Sequence, residues 1–592
     1  MILQALTDFY DRVSTTGEDV AKEGWERKEI PFIVVLDEQG ALVQIEDTRE
    51  GAGKNRRAKA FLVPLGVKKT IAVAANLLWD ASGYVFGIVP NKKLKGKGAE
   101  EAEKLRTRAS AQQAAFIERL EKELGKNHRV QRVLHFLKNI SESELAKQDH
   151  WQEICETDPV VSFRFAENAQ KLVCNYEDVM VLLKNDNASD KKSRCLLTGE
   201  NDEIERLHKS IQGVWGAQSS GANIVSFNLS SFESYGKKQG FNAAIGKSAA
   251  FAYTTAVNML LAKDSAQRMQ IGDASTIFWS ARRTKFESEF SFFFSEPPKD
   301  NPAEGTQKIR ELFASFKNGV YVEDDKDTDF YILGLSPNAA RISVRFWHHG
   351  KIAEFAGRIR QHFEDLKITR PAHEPEFYSI WRLLVNVASQ DKSENIPPNL
   401  AGEFMRSIMS GVPYPATVLQ AALRRIHSDT GNRVKPVRAA LIKAYLNRYQ
   451  RIYDKKQKEL SMALDIDQPS IGYQLGRLFA TLAKIQDEAQ PGINATIRER
   501  FYGAACASPV TVFANLLKLM KHHLAKLPNK GRAITFERLV GEIMSHLSDF
   551  PAHLDLHEQG RFAIGYYHQW QDFFTRTDTK EISEKTLQAG AN

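Results

Sequence analysis

Residues 226 to 262 read SFNLSSFESYGKKQGFNAAIGKSAAFAYTTAVNMLLA. The first half is polar and aromatic, with a basic loop between Gly236 and Gly240. In the second half, apolar residues recur at the spacing of one helix face, and they are Tyr253, Val257, Leu260 and Leu261. Ser248 is a suitable N-cap for that helix. The stretch therefore predicts a loop of Asn, Ser and Lys donors braced on a buried helix, and such a loop can hold a phosphodiester chain.

The same stretch contains GFNAAIGKS, Gly240 to Ser248, which is similar to a phosphate-binding P-loop. A P-loop has four residues between its first glycine and the Gly-Lys pair, whereas this chain has five, Phe241 to Ile245. No β-branched strand run precedes it. A nucleotide-dependent enzyme using the 240–248 loop is therefore kept only as an alternative, beside a purely structural scaffold.

The composition is that of a globular protein. Two to four domains are expected, because 592 residues are too many for a single hydrophobic core. No apolar run reaches the length of a membrane span, and the start lacks a secretory signal pattern. The four cysteines form no C-x-x-C pair, so neither a zinc site nor a disulfide framework is indicated and a cytoplasmic location is expected. The net charge of +8 favours polyanionic partners only weakly.

The N-terminal half predicts a mixed α and β region. A helix is expected over Leu3 to Val13, a hairpin over Ile30 to Leu36 and Ala41 to Ile45, and a long helix over Glu100 to Gly125. We also expect strand character over Asp178 to Leu183. A β-rich part is assigned to residues 1–98 and a mixed body to 99–389.

Aromatic residues dominate Phe286 to Phe294, where polar alternation predicts a half-buried strand. A second strand pair is expected over Phe330 to Leu335 and Arg341 to Trp347, with a turn at 336–338.

The chain becomes helical after a polar linker, residues 390–399. Within 400–592, four apolar stripes at helical spacing predict an antiparallel bundle from about residue 462, with basic outer faces. The predicted fold class is thus α+β, with an all-α C-terminal bundle.

Several phrases of the chain carry a family likeness. They are MILQALTDFYDR, NLLWDASGYVFG, SSGANIVSFN, FESYGKKQGFNA, AAFAYTTAVNMLL, YILGLSPNAARISVRFW and FAIGYYHQWQDFF. In this order they resemble the Csd-type large subunit of the type I-C CRISPR Cascade surveillance complex, over nearly the whole chain.

The resemblance implies a subunit that recognises the short protospacer-adjacent motif (PAM) on duplex DNA and begins strand separation. Lysine and arginine hold the DNA backbone, and asparagine reads base edges. We assign the PAM region to Lys54, Asn55, Arg56, Lys68, Lys69 and Asn76. Contacts to the nucleic-acid backbone are assigned to Lys237, Lys238, Asn242, Arg477, Lys484, Lys518 and Lys521.

The resemblance also implies the partners. They are guide RNA, double-stranded target DNA with its displaced strand, the backbone, handle-binding and small Cas subunits, and a recruited Cas nuclease-helicase, but no membrane. The C-terminal bundle is similar to the Cascade small subunit, and Met462 is a candidate internal start from which that part would be made separately.

No catalytic set is evident in the sequence. The pairs His348-His349 and His522-His523 are adjacent rather than one helical turn apart, so they do not have metal-ligand spacing. We therefore expect a non-catalytic protein without a cofactor, in which a guide supplies the sequence specificity.

Overall fold

The structure is a computed structural model. It describes residues 1–16, 20–51, 56–67, 69, 73–183, 192–218, 220–296, 306–307, 309–311, 314, 325–397, 399–429, 431 and 433–589, with side chains up to 574. The chain forms two compact units. The helical unit contains Met1–Phe9, His208–Ser226 and Ala256–Asn592, and the N-terminal unit contains Tyr10–Leu207 and Phe227–Thr255.

The strands of the N-terminal unit are β1 (Trp25–Glu29), β2 (Phe32–Leu36), β3 (Leu42–Asp47), β4 (Ala60–Pro64), β5 (Trp79–Ala81), β6 (Val160–Phe165), β7 (Ser193–Arg194) and β8 (Asn201–Asp202). The unit is built on a four-stranded sheet with the order β3-β2-β6-β5. The helices over this part of the chain are α1 (Ile2–Thr15), α2 (Ser82–Phe86), α3 (Asn91–Leu94), α4 (Ala99–Leu124), α5 (His128–Asn139), α6 (Glu142–Leu145), α7 (Trp151–Thr157), α8 (Glu177–Leu183) and α9 (Lys247–Leu260).

The central strand β2, FIVVL, is buried along its whole length. It pairs parallel with β6 and antiparallel with β3, which explains a continuous apolar run rather than an alternating one. Asp37 fixes the β2–β3 turn, because its Oδ1 accepts from the backbone N–H groups of Gln39 and Ala41 at 2.9 and 2.8 Å. The predicted hairpin and the predicted long helix are both confirmed.

In the described part of the helical unit, the strands are β9 (Arg268–Ile271), β10 (Ala274–Ser280), β11 (Asp329–Asn338) and β12 (Arg341–Lys351). They form an antiparallel sheet with the order β12-β11-β10-β9. This unit also contains most of the helices. Its helices are α10 (Lys285–Glu289), α11 (Ile352–Leu366), α12 (Ile380–Val387), α13 (Leu400–Ser410), α14 (Ala416–Ser428), α15 (Pro436–Tyr453), α16 (Ile471–Ala489), α17 (Ile497–Ala507), α18 (Phe513–Ala525), α19 (Lys530–Ser545) and α20 (Leu556–Ala589). The α+β fold class with a helical C-terminal region is confirmed.

Two predicted strands are wrong. Residues 178–183 lie in α8, and the aromatic run from Phe286 continues from α10 into a 3-10 turn. The spacing of the buried rings explains the helical conformation of the aromatic run, because the rings recur at helical intervals. The buried rings are those of Phe286, Phe290, Phe293 and Phe294. The second predicted strand pair is confirmed, but its turn lies at 339–340 rather than 336–338.

The predicted linker, residues 390–399, lies within the helical unit. There the carboxylate of Asp391 forms ion pairs with Arg425, Lys435 and Arg438, with N···O distances of 3.3, 2.9 and 3.0 Å. The guanidinium of Arg438 is fully buried, so the carboxylate of Asp391 compensates a charge that has left water. This part of the linker is therefore fixed to α14 and α15.

The helices α16 and α20 pack with their backbones in close approach. A Cβ atom on Gly472, Gly476 or Gly565 would lie closer than 3.0 Å to a carbonyl oxygen of the facing helix. Small residues at such positions let two helix backbones come together. These three glycines are therefore required for the α16–α20 contact.

The other side of α20 packs on the helices that precede Met462. A Cβ on Gly560 would lie 3.2–3.3 Å from side-chain carbons of Leu419, Ile442 and Leu446. Met462 itself lies between α15 and α16, is half exposed, and accepts a backbone hydrogen bond from Thr369 at 2.9 Å. Separate production from Met462 stays a prediction.

Buried histidines should make the helical unit sensitive to acid. Burial lowers the pKa of His568 to about 3 from an ordinary 6.5, and its Nδ1 lies 2.9 Å from Tyr473 Oη. Because the folded state resists protonation, this contribution to stability is complete above pH 6.5 and is lost as the pH falls towards 3, by about 1.4 kcal/mol per pH unit. Urea unfolding at pH 7 and pH 5 should show that His568→Gln loses less stability on acidification than the unsubstituted protein. Equal losses in the two proteins would contradict this assignment.

Candidate nucleic-acid interface

The exposed arginine of the predicted PAM region, Arg56, joins an ion-pair network beside β3. Its guanidinium lies 2.5 Å from Asp47, which also accepts from Arg49 at 2.7 Å. Arg49 in turn donates to Glu153 at 2.8 Å. The hydrogen bond from Arg49 lowers the pKa of Asp47 to about 2. Arg56 is thus oriented by a carboxylate while 43% of its side chain remains exposed.

Lys69 and Asn76 converge on a buried carboxylate, that of Asp80. The ammonium of Lys69 pairs with Asp80 and lies 3.6 Å from the centre of the Tyr84 ring. Asn76 donates its backbone N–H to Asp80 at 2.8 Å, and its side-chain oxygen accepts from the backbone of Val67 at 2.9 Å. Asn76 is buried. Its amide therefore holds the segment after β4 and does not present a base-reading edge to solvent.

Three more residues of the predicted PAM set, Lys54, Asn55 and Lys68, lie outside the described residues. Within the described part of the set, the structure brings Lys69 and Asn76 together around Asp80, whereas Arg56 belongs to the separate network at Asp47.

The loop before α9 carries the predicted backbone contacts Lys237 and Lys238. Both side chains are exposed, and neither forms a salt bridge with the described residues. Asn242 forms hydrogen bonds within the loop, and its predicted contact with the nucleic-acid backbone stays a prediction. Its oxygen accepts from the N–H of Ser234, and its amide nitrogen donates to the carbonyls of Lys237 and Gln239, all at 3.0 Å. Asn242 therefore shapes the loop that presents the lysines.

The helix α9 confirms the buried stripe predicted from the sequence, since Tyr253, Val257, Leu260 and Leu261 are all buried. Ser248 is not its N-cap, because the helix begins at Lys247 and the N–H of Ser248 is bound by the carboxylate of Asp202 at 3.0 Å.

This arrangement disfavours a phosphate site in the 240–248 loop. A carboxylate, that of Asp202, occupies the helix N-terminus where a phosphate would bind. In addition, the ammonium of Lys247 is paired with Glu203 at 2.8 Å. The negative charges at these two positions would repel a nucleotide phosphate.

The basic residues predicted for the C-terminal bundle divide into two kinds. Arg477 is wrongly placed by the sequence, because it is fully buried instead of lying on an outer face. It donates to Gln569 at 3.1 Å, to Gln474 at 2.9 Å and to Glu542 at 3.0 Å. Lys484 is partly buried and pairs with Glu488 at 3.5 Å. Neither side chain projects freely towards a ligand.

Four lysines of α18 and α19 and the turn between them form what we call the bundle lysines. These residues are Lys518, Lys521, Lys526 and Lys530. All four side chains are exposed and form no salt bridge within the described residues. Lys518 and Lys521 are three residues apart on α18 and therefore share a face. Unpaired ammonium groups of this kind can neutralise phosphates.

Comparison with known families decides the broader identity of the chain. The profile of a family of CRISPR-associated proteins, Cas_Csd1, matches residues 6–574. The chain belongs to the Csd1 family. The resemblance carried by the sequence phrases is thereby confirmed, and the Csd1 chain is a CRISPR-associated Cascade subunit. Among curated proteins, no match is found.

Two other features of the Csd1 chain concern metals and membranes. Across the described residues, no group of three His, Cys, Asp or Glu side chains is arranged to hold a metal ion. Over the same ranges, no helix combines the length and apolar character needed to cross a bilayer.

Proposed function

We propose that the Csd1 chain is the non-catalytic large subunit of a type I-C Cascade. In this role it binds the guide-RNA complex and target DNA, recognises the PAM, promotes R-loop formation and recruits the Cas nuclease-helicase. Base pairing with the guide supplies the sequence specificity, and the protein reads the flanking motif and DNA shape. Family membership supports the assembly, and the observation that carries nucleic-acid binding is the set of exposed, unpaired bundle lysines.

The two ends of the Csd1 chain would have different tasks in this complex. The N-terminal unit would contact the PAM duplex, with Arg56 as an exposed cation already oriented by Asp47. The bundle lysines would follow the displaced strand, where a positively charged surface tracks the phosphate backbone.

Replacing all four bundle lysines by alanine tests the displaced-strand contact. Each lost phosphate contact on a single strand lowers the salt slope, the dependence of log affinity on log salt concentration, by about 0.7. We therefore expect the slope of the assembled complex on a matched target duplex to fall by roughly 1 to 3, with the largest loss of affinity at low salt. Filter binding or mass photometry across a salt series measures this.

The matched control replaces four other exposed lysines, which are Lys104, Lys122, Lys126 and Lys147. The change in net charge is the same, but these residues lie on and after α4 and α6. If this variant loses as much affinity and salt slope as the bundle variant, net charge rather than a local contact explains binding, and the assignment to the bundle is wrong.

A further inference from the structure

The loop before α9 exposes eleven consecutive residues, Asn228 to Lys238. Its most exposed side chain is that of Tyr235, which is 97% exposed. Tyr235 also has φ +52°, in the left-handed region, which costs a residue with a Cβ roughly 1–2 kcal/mol. The fold therefore accepts both an uncovered aromatic ring and a strained backbone at the same residue.

Hydrogen bonds nevertheless brace this loop around Tyr235 and fix its C-terminal side to the N-terminal unit. Asn242 binds three backbone groups of residues 234–239. Arg206 donates to Gln239 at 2.7 Å and accepts from the N–H of Gly240 through its carbonyl at 3.1 Å. A Cβ at Gly240 would collide with the Glu205 carbonyl. The tyrosine is thus presented by a braced turn.

The surroundings of Tyr235 indicate the chemistry of its partner. Lys237 and Lys238 follow within three residues and form no salt bridge within the described residues, whereas one carboxylate, Glu233, precedes it. The ring of Phe241, in the same loop, is half exposed. Aromatic rings beside unpaired cations are the elements with which proteins bind unpaired nucleotides, by base stacking and phosphate neutralisation.

We infer that Tyr235 stacks on an unpaired base, while Lys237 and Lys238 neutralise the phosphates next to that base. This inference rests on the proposed function and adds to it a base contact of the single-stranded type. The left-handed backbone at Tyr235 holds the ring out from the loop before the nucleotide arrives, so little ordering remains to be done on binding.

The test uses the full-length chain and single-stranded DNA and RNA 20-mers, each carrying one 2-aminopurine. The fluorescence of this base falls when it stacks on an aromatic ring. Tyr235→Ala should weaken binding by about 5- to 150-fold, abolish the quenching, and leave the salt slope unchanged because no charge is removed. Tyr235→Phe should restore both properties. The double change Lys237→Ala and Lys238→Ala should instead lower the salt slope by roughly 1 to 1.5.

Tyr453→Ala is the matched control, since Tyr453 is 66% exposed at the end of α15. It should bind like the unsubstituted chain. Unchanged affinity and quenching in Tyr235→Ala would overturn the inference, as would absence of binding to both 20-mers. If the assembled complex still shows salt-dependent binding of a target duplex, the proposed function survives that result. Loss of Cas-subunit assembly in Tyr235→Ala, with normal quenching, would assign the ring to a protein partner and also overturn the inference.

Discussion

Gly476→Ala is expected to separate α20 from α16. The added Cβ would lie closer than 3.0 Å to the carbonyl oxygen of Phe562 and to the amide nitrogen of Tyr566. Both atoms belong to the backbone of a helix, so no side-chain rotation relieves the collision. We expect a loss of about 3 kcal/mol or more in the free energy of unfolding, together with faster proteolysis of the C-terminal helix. Urea denaturation and limited trypsin digestion measure the two effects.

The matched control is Gly541→Ala, in the interior of α19. A Cβ at Gly541 meets nothing within 4 Å, and alanine is the better helix former by about 1 kcal/mol. This variant should therefore unfold at the same or a slightly higher urea concentration. A Gly476→Ala protein as stable as Gly541→Ala would show that α16 and α20 do not pack as closely as described.

Arg477→Met should also weaken the helical unit, while leaving its affinity for nucleic acid unchanged per folded molecule. Methionine fills much of the volume, but it leaves the carbonyl of Ile466 and the side-chain oxygens of Gln474 and Gln569 without the guanidinium donors. Buried acceptors that lose a charged donor cost about 1–3 kcal/mol each where no water replaces it. We expect a total of roughly 3 kcal/mol, measured by urea denaturation.

The comparison variant is Lys518→Met, which removes one positive charge from an exposed position without a salt bridge. It should keep the stability and lower the salt slope of nucleic-acid binding by about 0.7. The two variants thus separate a structural cation from a ligand-binding one. If Arg477→Met lowers the salt slope of the folded complex and Lys518→Met does not, the two roles have been assigned the wrong way round.

Secondary-structure elements were predicted correctly where a single hydrophobic periodicity dominated the sequence. The stripe from Tyr253 to Leu261 and the two β-rich runs with the turn at Asp37 are local signals, and the structure confirms both. The spacing of the aromatic residues from Phe286 to Phe294 is compatible with both a strand and a helix. The polar residues between the rings favoured a strand, which is wrong. In the structure the rings lie on one side of a helix and a 3-10 turn.

The roles of charged side chains were harder to predict from the sequence, because they depend on partners that are distant along the chain. Nothing near Arg477 shows that Gln569, 92 residues later, will accept its hydrogen bond. Asp202 likewise lies 46 residues before the N–H of Ser248 that it binds. For Lys518 and Lys521 the prediction of an exposed position needed only the helical stripe on the opposite side of α18, and both are exposed.

The packing around Gly560 has a consequence for a product that would begin at Met462. Such a product would keep the α16–α20 contact but lack Leu419, Ile442 and Leu446, which cover the other side of α20. Its final helix would then expose an apolar surface to water. Polypeptides with such an exposed apolar surface tend to self-associate or to bind a partner protein. A short form purified by itself should therefore sediment as more than a monomer.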